Sequence, residues 1–546
     1  MQGSHAIARV LKQEAVEFVT CFPHNEIIDA CAGQSIRPIM ARTERVAINI
    51  ADGYSRLTNG RRIGVCLVQD GPGIENGFGA VAQAYSDNSP ILLLPGAYPR
   101  PSQGVPPNFS VLPSFRPITK WTDQINLVER IPQMLQRAFT LLRNGCPGPV
   151  VLEVPRDVLA EELADDRFEY IPPKRSAPLG DPAQVNEVVE ALLKAQRPVI
   201  VAGQGIHFAQ AWEELRRLAE LLQLPVMTTM NGKSAFPEDH ALALGAGGNS
   251  CPRTVTHFLD KADFVLGIGT SFTRSNFVTP IPPGKVMGQI TIDERDLSKD
   301  YSISIGVIGD ARAVLQQMIE GVQAQTGPNG RQGEDGVVRE VRAVRDQFMR
   351  TWMPRLTSDE VPINPYRVIW ELMHAVDRRS TVVTHDAGNP RDQMLPFYEA
   401  IAPGTYVGWG KSTQLGTGLG LAMGAKLARP DWLSVNVMGD AAFGMVGMDF
   451  ETAVRNQIPV LTVVLNNGRL GGYDHLLPVS SERYRLRFMP GNRYSQVAEA
   501  MGGYAERVEQ PEAIQPALKR CIQEVGSGRA ALLEIITRED PTLPKE

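Results

Sequence analysis

The chain has 546 residues, more than one hydrophobic core usually serves, with apolar and charged fractions of 43% and 21%, so a folded protein of two to four domains is expected, with three the working number. A formal charge of −5 and the lack of any long Lys or Arg run argue against a nucleic-acid partner. Six scattered cysteines without a CxxC pair argue against a zinc site or a disulfide framework. No apolar run nears the ~20 residues that span a bilayer, so a cytoplasmic protein with no membrane partner is expected.

From the N-terminus, helix-like and strand-like segments alternate: AIARVLKQEA, VEFVTCF, IRPIMA, ERVAINIADGYSRL, IGVCLV and PILLLPG, closing at PVVLEVP. Such alternation predicts parallel βαβ units. The loop after the first strand is Cys21-Phe22-Pro23-His24-Asn25-Glu26. Glu44 stands in the first turn of the ERVAINI helix, where an acid complements the macrodipole. IGVCLV leads into Asp70-Gly71-Pro72-Gly73 and Asn76, a set of turn formers.

Residues 161–184 are polar and proline-bearing, the composition of a linker, so the first domain is placed at 1–162. A second βα series occupies 183–323, with RPVIVAGQG, LPVMTTM, ADFVLGIGT and KVMGQITID as strands. Gly203 and Gly205 after a strand suggest a nicotinamide site, but that site also needs an acid ending the next strand, and LPVMTTMNG has none. A glycine-rich second linker, 324–336, precedes the helix VVREVRAVRDQFMRTWM.

The third domain, 360–546, has buried strands TVVTHD, LSVNVMGD, VLTVVLNN and ALLEIIT. Asn389 follows the first of them, and a glycine-rich stretch from Gly410 includes Thr413, Leu415 and Gly416. LSVNVM runs into Gly439-Asp440-Ala441-Ala442, with the helix MVGMDFETAVRNQ to follow. VLTVVL runs into Asn466-Asn467-Gly468. Asp440 and Asn467 are therefore expected at the carboxyl edge of neighbouring parallel strands, where open α/β sheets bind ligands. A carboxylate and an amide oxygen suit Mg²⁺, and the small residues beside them let backbone amides approach phosphate oxygens. The fold class expected is α/β, three doubly wound parallel-sheet domains.

GDAA at 439–442 and LNN at 465–467 resemble the diphosphate-binding signature of thiamine-diphosphate enzymes, and nearly the whole chain resembles their acetolactate synthase-like group. Benzaldehyde lyase, benzoylformate decarboxylase and 2-hydroxyacyl-CoA lyase are similar families. The resemblance implies pyrimidine-binding, central Rossmann-like and pyrophosphate-binding domains in that order. It implies thiamine diphosphate and Mg²⁺ as cofactors, with Asp440, Asn467 and the backbone carbonyl of Arg469 as metal ligands. Gly439, Ala441, Ala442, Leu470 and Asn389 would contact the cofactor near its diphosphate. Gly71, Pro72, Gly73 and Asn76 would lie near the pyrimidine. Leu415 would wedge the cofactor's two rings together and the Thr413 carbonyl would hold its amino group. Glu44 would hydrogen-bond the pyrimidine and so favour loss of the C2 proton. Relatives commonly read His-Glu-Gln where this chain has Thr43-Glu44-Arg45, and Gly where it has Ala441.

The same resemblance implies a carboligase or lyase acting next to a carbonyl group, on a 2-oxo acid, 2-hydroxy ketone or 2-hydroxyacyl compound, through a C2 ylide and an enamine. Non-oxidative decarboxylation is the alternative. The active site would lie between subunits of a homodimer or homotetramer. His24 occupies a loop that faces the reacting carbon in the family and is expected to act as a substrate-orienting acid or base. The segment after Asn467 reads as a closing loop with Tyr473, His475, Arg483 and Arg485. The glutamine that acetolactate synthases carry before FRPITKW is not evident; PPNFSVLPS stands there instead.

Overall fold

A computed structural model of the chain describes residues 1–330, 336–484, 486–489 and 491–544. It contains three six-stranded sheets whose strands all pair in parallel. The first holds β1 (Phe18–Cys21), β2 (Arg37–Met40), β3 (Gly64–Val68), β4 (Ile91–Ala97), β5 (Trp121–Gln124) and β6 (Val150–Pro155), in the order β2-β1-β3-β4-β6-β5. The second holds β7 (Pro198–Ala202), β8 (Val226–Thr229), β9 (Ala243–Gly247), β10 (Phe264–Ile268), β11 (Val286–Thr291) and β12 (Ile305–Ile308), in the order β12-β11-β10-β7-β8-β9. This is the doubly wound order of dinucleotide-binding sheets.

The third sheet holds β13 (Thr381–His385), β14 (Tyr406–Val407), β15 (Leu433–Gly439), β16 (Leu461–Asn466), β17 (Tyr504–Val508) and β18 (Ala531–Ile536). Its order, β14-β13-β15-β16-β18-β17, repeats that of the first sheet. The central strands are buried along their length, as expected where helices cover both faces. Among the described residues no helix is long and apolar enough to cross a membrane. The six cysteines are unpaired, and burial raises the thiols of Cys21 and Cys31 to about 12.

The stretch read as a linker at 161–184 is largely irregular, but the next helix, Pro182–Lys194, begins inside it. Asp181 caps that helix by accepting from the Ala183 and Gln184 amides, and Pro182 fills the first helical position. In the second linker, residues 331–335 lie outside the described residues. The helix read as MVGMDFETAVRNQ starts earlier and is interrupted. It opens at Asp440, runs to Val446, tightens into a 3₁₀ turn at Gly447–Asp449 and resumes over Phe450–Arg455.

The first and third domains share one apolar core, in which Phe18, Val46, Ile50 and Tyr54 meet Leu419, Met423, Phe443 and Phe450. The helices Glu44–Leu57 and Thr417–Ala428 interlock there through small residues. A Cβ at Gly53 would run into the Leu421 carbonyl, and one at Gly424 into the Ile50 carbonyl. A buried polar hub ties in the central domain. Arg56 forks onto Asp52 (2.6 and 3.0 Å) and reaches Asp87 at 3.3 Å. Asp87 also accepts from Asn231 at 2.9 Å and from the Gly410 amide at 3.3 Å. Burial alone would lower the Arg56 guanidinium's affinity for its proton, but Asp52 and Asp87 more than reverse that.

Candidate active site

In sheets of this order the topological switch point falls between the first and third strands, and ligands gather at the carboxyl edge there. In the third sheet these strands are β13 and β15. Gly439 ends β15 in register with Leu465 of β16, so Asp440 and Asn467 emerge side by side. They line a cleft of ≈ 360 Å³ together with Asn389, Thr413, Leu415, Gly439, Ala441, Ala442, Arg469 and Leu470. The third-domain positions that the resemblance assigns to cofactor and metal are thus brought together.

The donor set fits a hard cation and an anionic group. Asp440 is 1% exposed and, among the described residues, its Oδ2 has no hydrogen-bond partner. Burial raises its carboxyl to about 6, against nearby backbone amides that pull it down. A buried carboxylate oxygen without a partner is costly, and a bound cation removes that cost. Asn467 Oδ1 accepts from the Arg469 amide at 3.0 Å. The Arg469 side chain is committed to Glu539 at 2.8 Å. Among the described residues there is no cluster of three or more His, Cys, Asp or Glu of the kind that cages a metal. A single carboxylate with amide oxygens leaves coordination places for phosphate oxygens, as Mg²⁺ prefers. A Cβ built at Gly439 meets nothing within 4 Å, so the cradle beside Asp440 is open.

The loop carrying Thr413 and Leu415 is pinned from below. Asp386, at the end of β13, accepts from the amides of Ala387 (2.9 Å), Gly416 (2.8 Å) and Gly418 (2.9 Å). Burial raises its carboxyl to about 6. Thr413 adopts a left-handed φ of 56°, which turns the chain toward Leu415. Asp386 was missed in the sequence, although it lies in the THDAG turn that yielded Asn389.

Glu44 opens its helix as predicted, with Thr43 as N-cap accepting from the Val46 amide. The Thr43 hydroxyl also donates to Asp449 at 2.8 Å, and Asp449 accepts from the Arg42 amide at 2.7 Å. The start of this helix is therefore clamped to the third domain. Glu44 is 5% exposed and accepts from Asn76 at 3.4 Å. Gly73 is close enough that a Cβ there would stand 3.5 Å from Glu44 Oε1. Gly71 (φ 57°) and Pro72 start the Pro72–Ser86 helix beside it. Glu44, Gly71, Pro72, Gly73 and Asn76 thus form a second group, and none of them lines the Asp440 cleft of the same chain.

His24 sits at a left-handed φ of 76°. Its Nε2 lies 3.0 Å from the Arg156 guanidinium, which also bonds Asp70 at 2.6 Å. Arginine only donates, so Nε2 accepts and the neutral ring carries its hydrogen on Nδ1. Arg156, at the end of β6, was not singled out in the sequence. In the proposed closing loop, Tyr473 and His475 lie in a short helix Tyr473–Leu476, and Arg483 ends the helix Pro478–Arg483. Tyr473, Leu476, Val479 and Tyr484 are exposed there. Arg485 lies outside the described residues.

Three family models match the chain: "Thiamine pyrophosphate enzyme, N-terminal TPP binding domain" over residues 1–127, the central domain over 185–318 and the C-terminal TPP binding domain over 386–535. The chain belongs to the thiamine pyrophosphate enzyme family. Its relatives carry this further. A probable acetolactate synthase large subunit of Methanocaldococcus jannaschii is 30% identical, covering 100% of this chain and 93% of the relative. One from Methanococcus aeolicus is 29% identical over 96% and 90%. The acetolactate synthase isozyme 3 large subunit of Escherichia coli is 27% identical over 98% and 94%. The chain is a thiamine-diphosphate-dependent enzyme of the acetolactate synthase-like group, with chemistry at carbon–carbon bonds.

Proposed function

We propose that the chain is a carboligase or lyase that works next to a carbonyl group, on a 2-oxo acid, 2-hydroxy ketone or 2-hydroxyacyl compound. Thiamine diphosphate would be held through Mg²⁺ by Asp440, Asn467 and the Arg469 carbonyl. The observation that carries this reading is the buried Asp440 Oδ2, without a partner among the described residues, in a cleft at the switch point of the third sheet. When bound, the cofactor supplies a carbanion-forming carbon that can attack and release carbonyl fragments. Glu44, buried and hydrogen-bonded by Asn76, would hold the pyrimidine end. Leu415, beside the Gly416 amide that Asp386 holds, would pack against the cofactor between its two rings.

Among the described residues that line the Asp440 cleft none comes from the first domain of the same chain, whereas Glu44 stands buried with the Gly71–Gly73 turn. This separation supports a homodimer or a homotetramer, in which Glu44 of one subunit completes the cleft of another.

Exchange of the cofactor's C2 proton for deuterium tests the reading. Wild-type protein with Mg²⁺ is expected to speed it far beyond free thiamine diphosphate. Glu44→Gln is expected to lose on the order of a hundred-fold of that rate while still binding cofactor. Asp440→Ala is expected to lose Mg²⁺-dependent cofactor binding in calorimetry. Wild-type exchange no faster than the free cofactor sinks the proposal.

A further inference from the structure

A separate cavity of ≈ 200 Å³ opens at the carboxyl edge of the first sheet. It is lined by Asp70 and Gly71 after β3, Tyr98 after β4, Ser110, and Gln124 and Glu153 on the adjacent strands β5 and β6. Glu153 and Gln124 are register partners, and Gln124 Nε2 donates to Glu153 Oε1 at 2.7 Å. Among the described residues that is the only hydrogen bond to this carboxyl, and no cation pairs with it. Glu153 is 7% exposed, and burial raises its carboxyl to about 7.

The other acid in the cavity lives in a different environment. Asp70 is bonded to Arg156 at 2.6 Å, so its charge is answered. The two acids of the cavity thus differ in their partners, Asp70 being paired with a cation and Glu153 with a neutral amide. Among the described residues no Lys, Arg or His lines the cavity. A ligand bearing its own carboxylate would meet acids, amides, hydroxyls and apolar side chains there but no cation from the lining, whereas an uncharged carbonyl oxygen would meet a donor.

The cavity also has the right neighbour. The Gly71–Pro72–Gly73 turn stands between it and Glu44. A Cβ on Gly71 would touch the Tyr98 hydroxyl at 2.8 Å, while one on Gly73 would approach Glu44. The space therefore adjoins the group assigned above to the cofactor's pyrimidine end.

We propose that this cavity is the acceptor subsite, that it takes a neutral aldehyde or ketone rather than a second 2-oxo acid, and that Glu153 is the residue that donates to the acceptor's carbonyl oxygen. The proposal rests on the carboligase reading. When the new carbon–carbon bond forms, its electron pair comes from the donor fragment and the π pair of the acceptor C=O moves onto oxygen. That oxygen takes the Glu153 proton and becomes a hydroxyl, and the carboxylate recovers a proton from solvent. In the cleavage direction each movement reverses.

The test uses full-length holoenzyme supplied with pyruvate, or with formyl-CoA where pyruvate is not consumed, and offers benzaldehyde, acetaldehyde or a second 2-oxo acid as acceptor. Wild type is expected to ligate the aldehydes in preference. Glu153→Gln, which keeps a neutral donor, is expected to leave the acceptor KM within about twofold while kcat falls on the order of a hundred-fold. Glu153→Leu is expected to raise KM as well. Difference infrared spectra of wild type against Glu153→Gln at neutral pH are expected to contain a protonated carboxyl stretch belonging to Glu153. Preference for a charged acceptor, an unchanged kcat in Glu153→Gln, or the absence of that band each overturns the proposal. Failure of wild-type C2 exchange instead overturns the reading beneath it.

Discussion

At the scale of single residues, His207 is a clear case of chemistry set by burial. Its Nδ1 accepts from the Trp212 indole at 3.0 Å and its Nε2 lies 3.1 Å from the Lys233 carbonyl. The neutral ring, with its hydrogen on Nε2, satisfies both partners; a proton on Nδ1 would face the indole N–H. Burial lowers the ring to about 4, below its ordinary 6.5, although backbone carbonyls oppose the fall. The unfolded chain therefore binds the extra proton first. Stability from this group is present above about 6.5 and is lost as pH falls toward about 4. Urea denaturation of wild type and His207→Gln is expected to differ in slope through that window, with the wild type losing more on acidification. Equal slopes would remove the argument. Asp440 and Asn467 were legible in the sequence because each needs only its own strand end and the turn after it. Glu153 was not, because its proton affinity comes from burial beside Gln124, on a strand the sequence reading did not contain.

Among the elements, those recognised were the buried, largely apolar strands such as β4, β15 and β16. Those missed were β5, β9, β12, β14 and β17. All five lie at or next to a sheet edge, and each lacks one of the cues that reading depends on. β14 has two residues, β9 reads ALGAG and β17 is half-buried along most of its length. The pairing of the Glu44–Leu57 and Thr417–Ala428 helices was equally invisible, since a glycine in a helix pattern does not say which carbonyl it admits. Gly53→Ala decides between two effects. Helix propensity alone would favour alanine by about 1 kcal/mol. Overpacking against backbone typically costs about 1–3 kcal/mol, and the Leu421 carbonyl cannot swing aside as a side chain would. The expected result is a lower denaturation midpoint for Gly53→Ala. Gly33→Ala, whose new Cβ meets nothing within 4 Å, is expected to show no such loss.

At the scale of the whole molecule, the sequence indicated three α/β units, but not that the first and third sheets share one strand order. Order is fixed by pairings between distant segments, which local periodicity does not report. The separation of Glu44 from the Asp440 cleft gives the proposed assembly a direct test. Glu44→Gln and Asp440→Ala chains, each inactive alone, are co-refolded. Their mixed dimers would hold one site with both wild-type residues and one with neither, so random pairing is expected to restore about a quarter of wild-type activity. No recovery would mean that each chain builds its site alone.

The hub at Asp87 bears on how such a chain can be altered. Asp52, Arg56 and Asp87 come from the first domain, Asn231 from the second, and the Gly410 amide from the third. A chimaera that replaces one domain with a relative's would inherit part of a buried charge network and leave the remainder unanswered, at a cost of about 3–5 kcal/mol for each broken pair. The domains look modular along the sequence, but as units of inheritance they travel together.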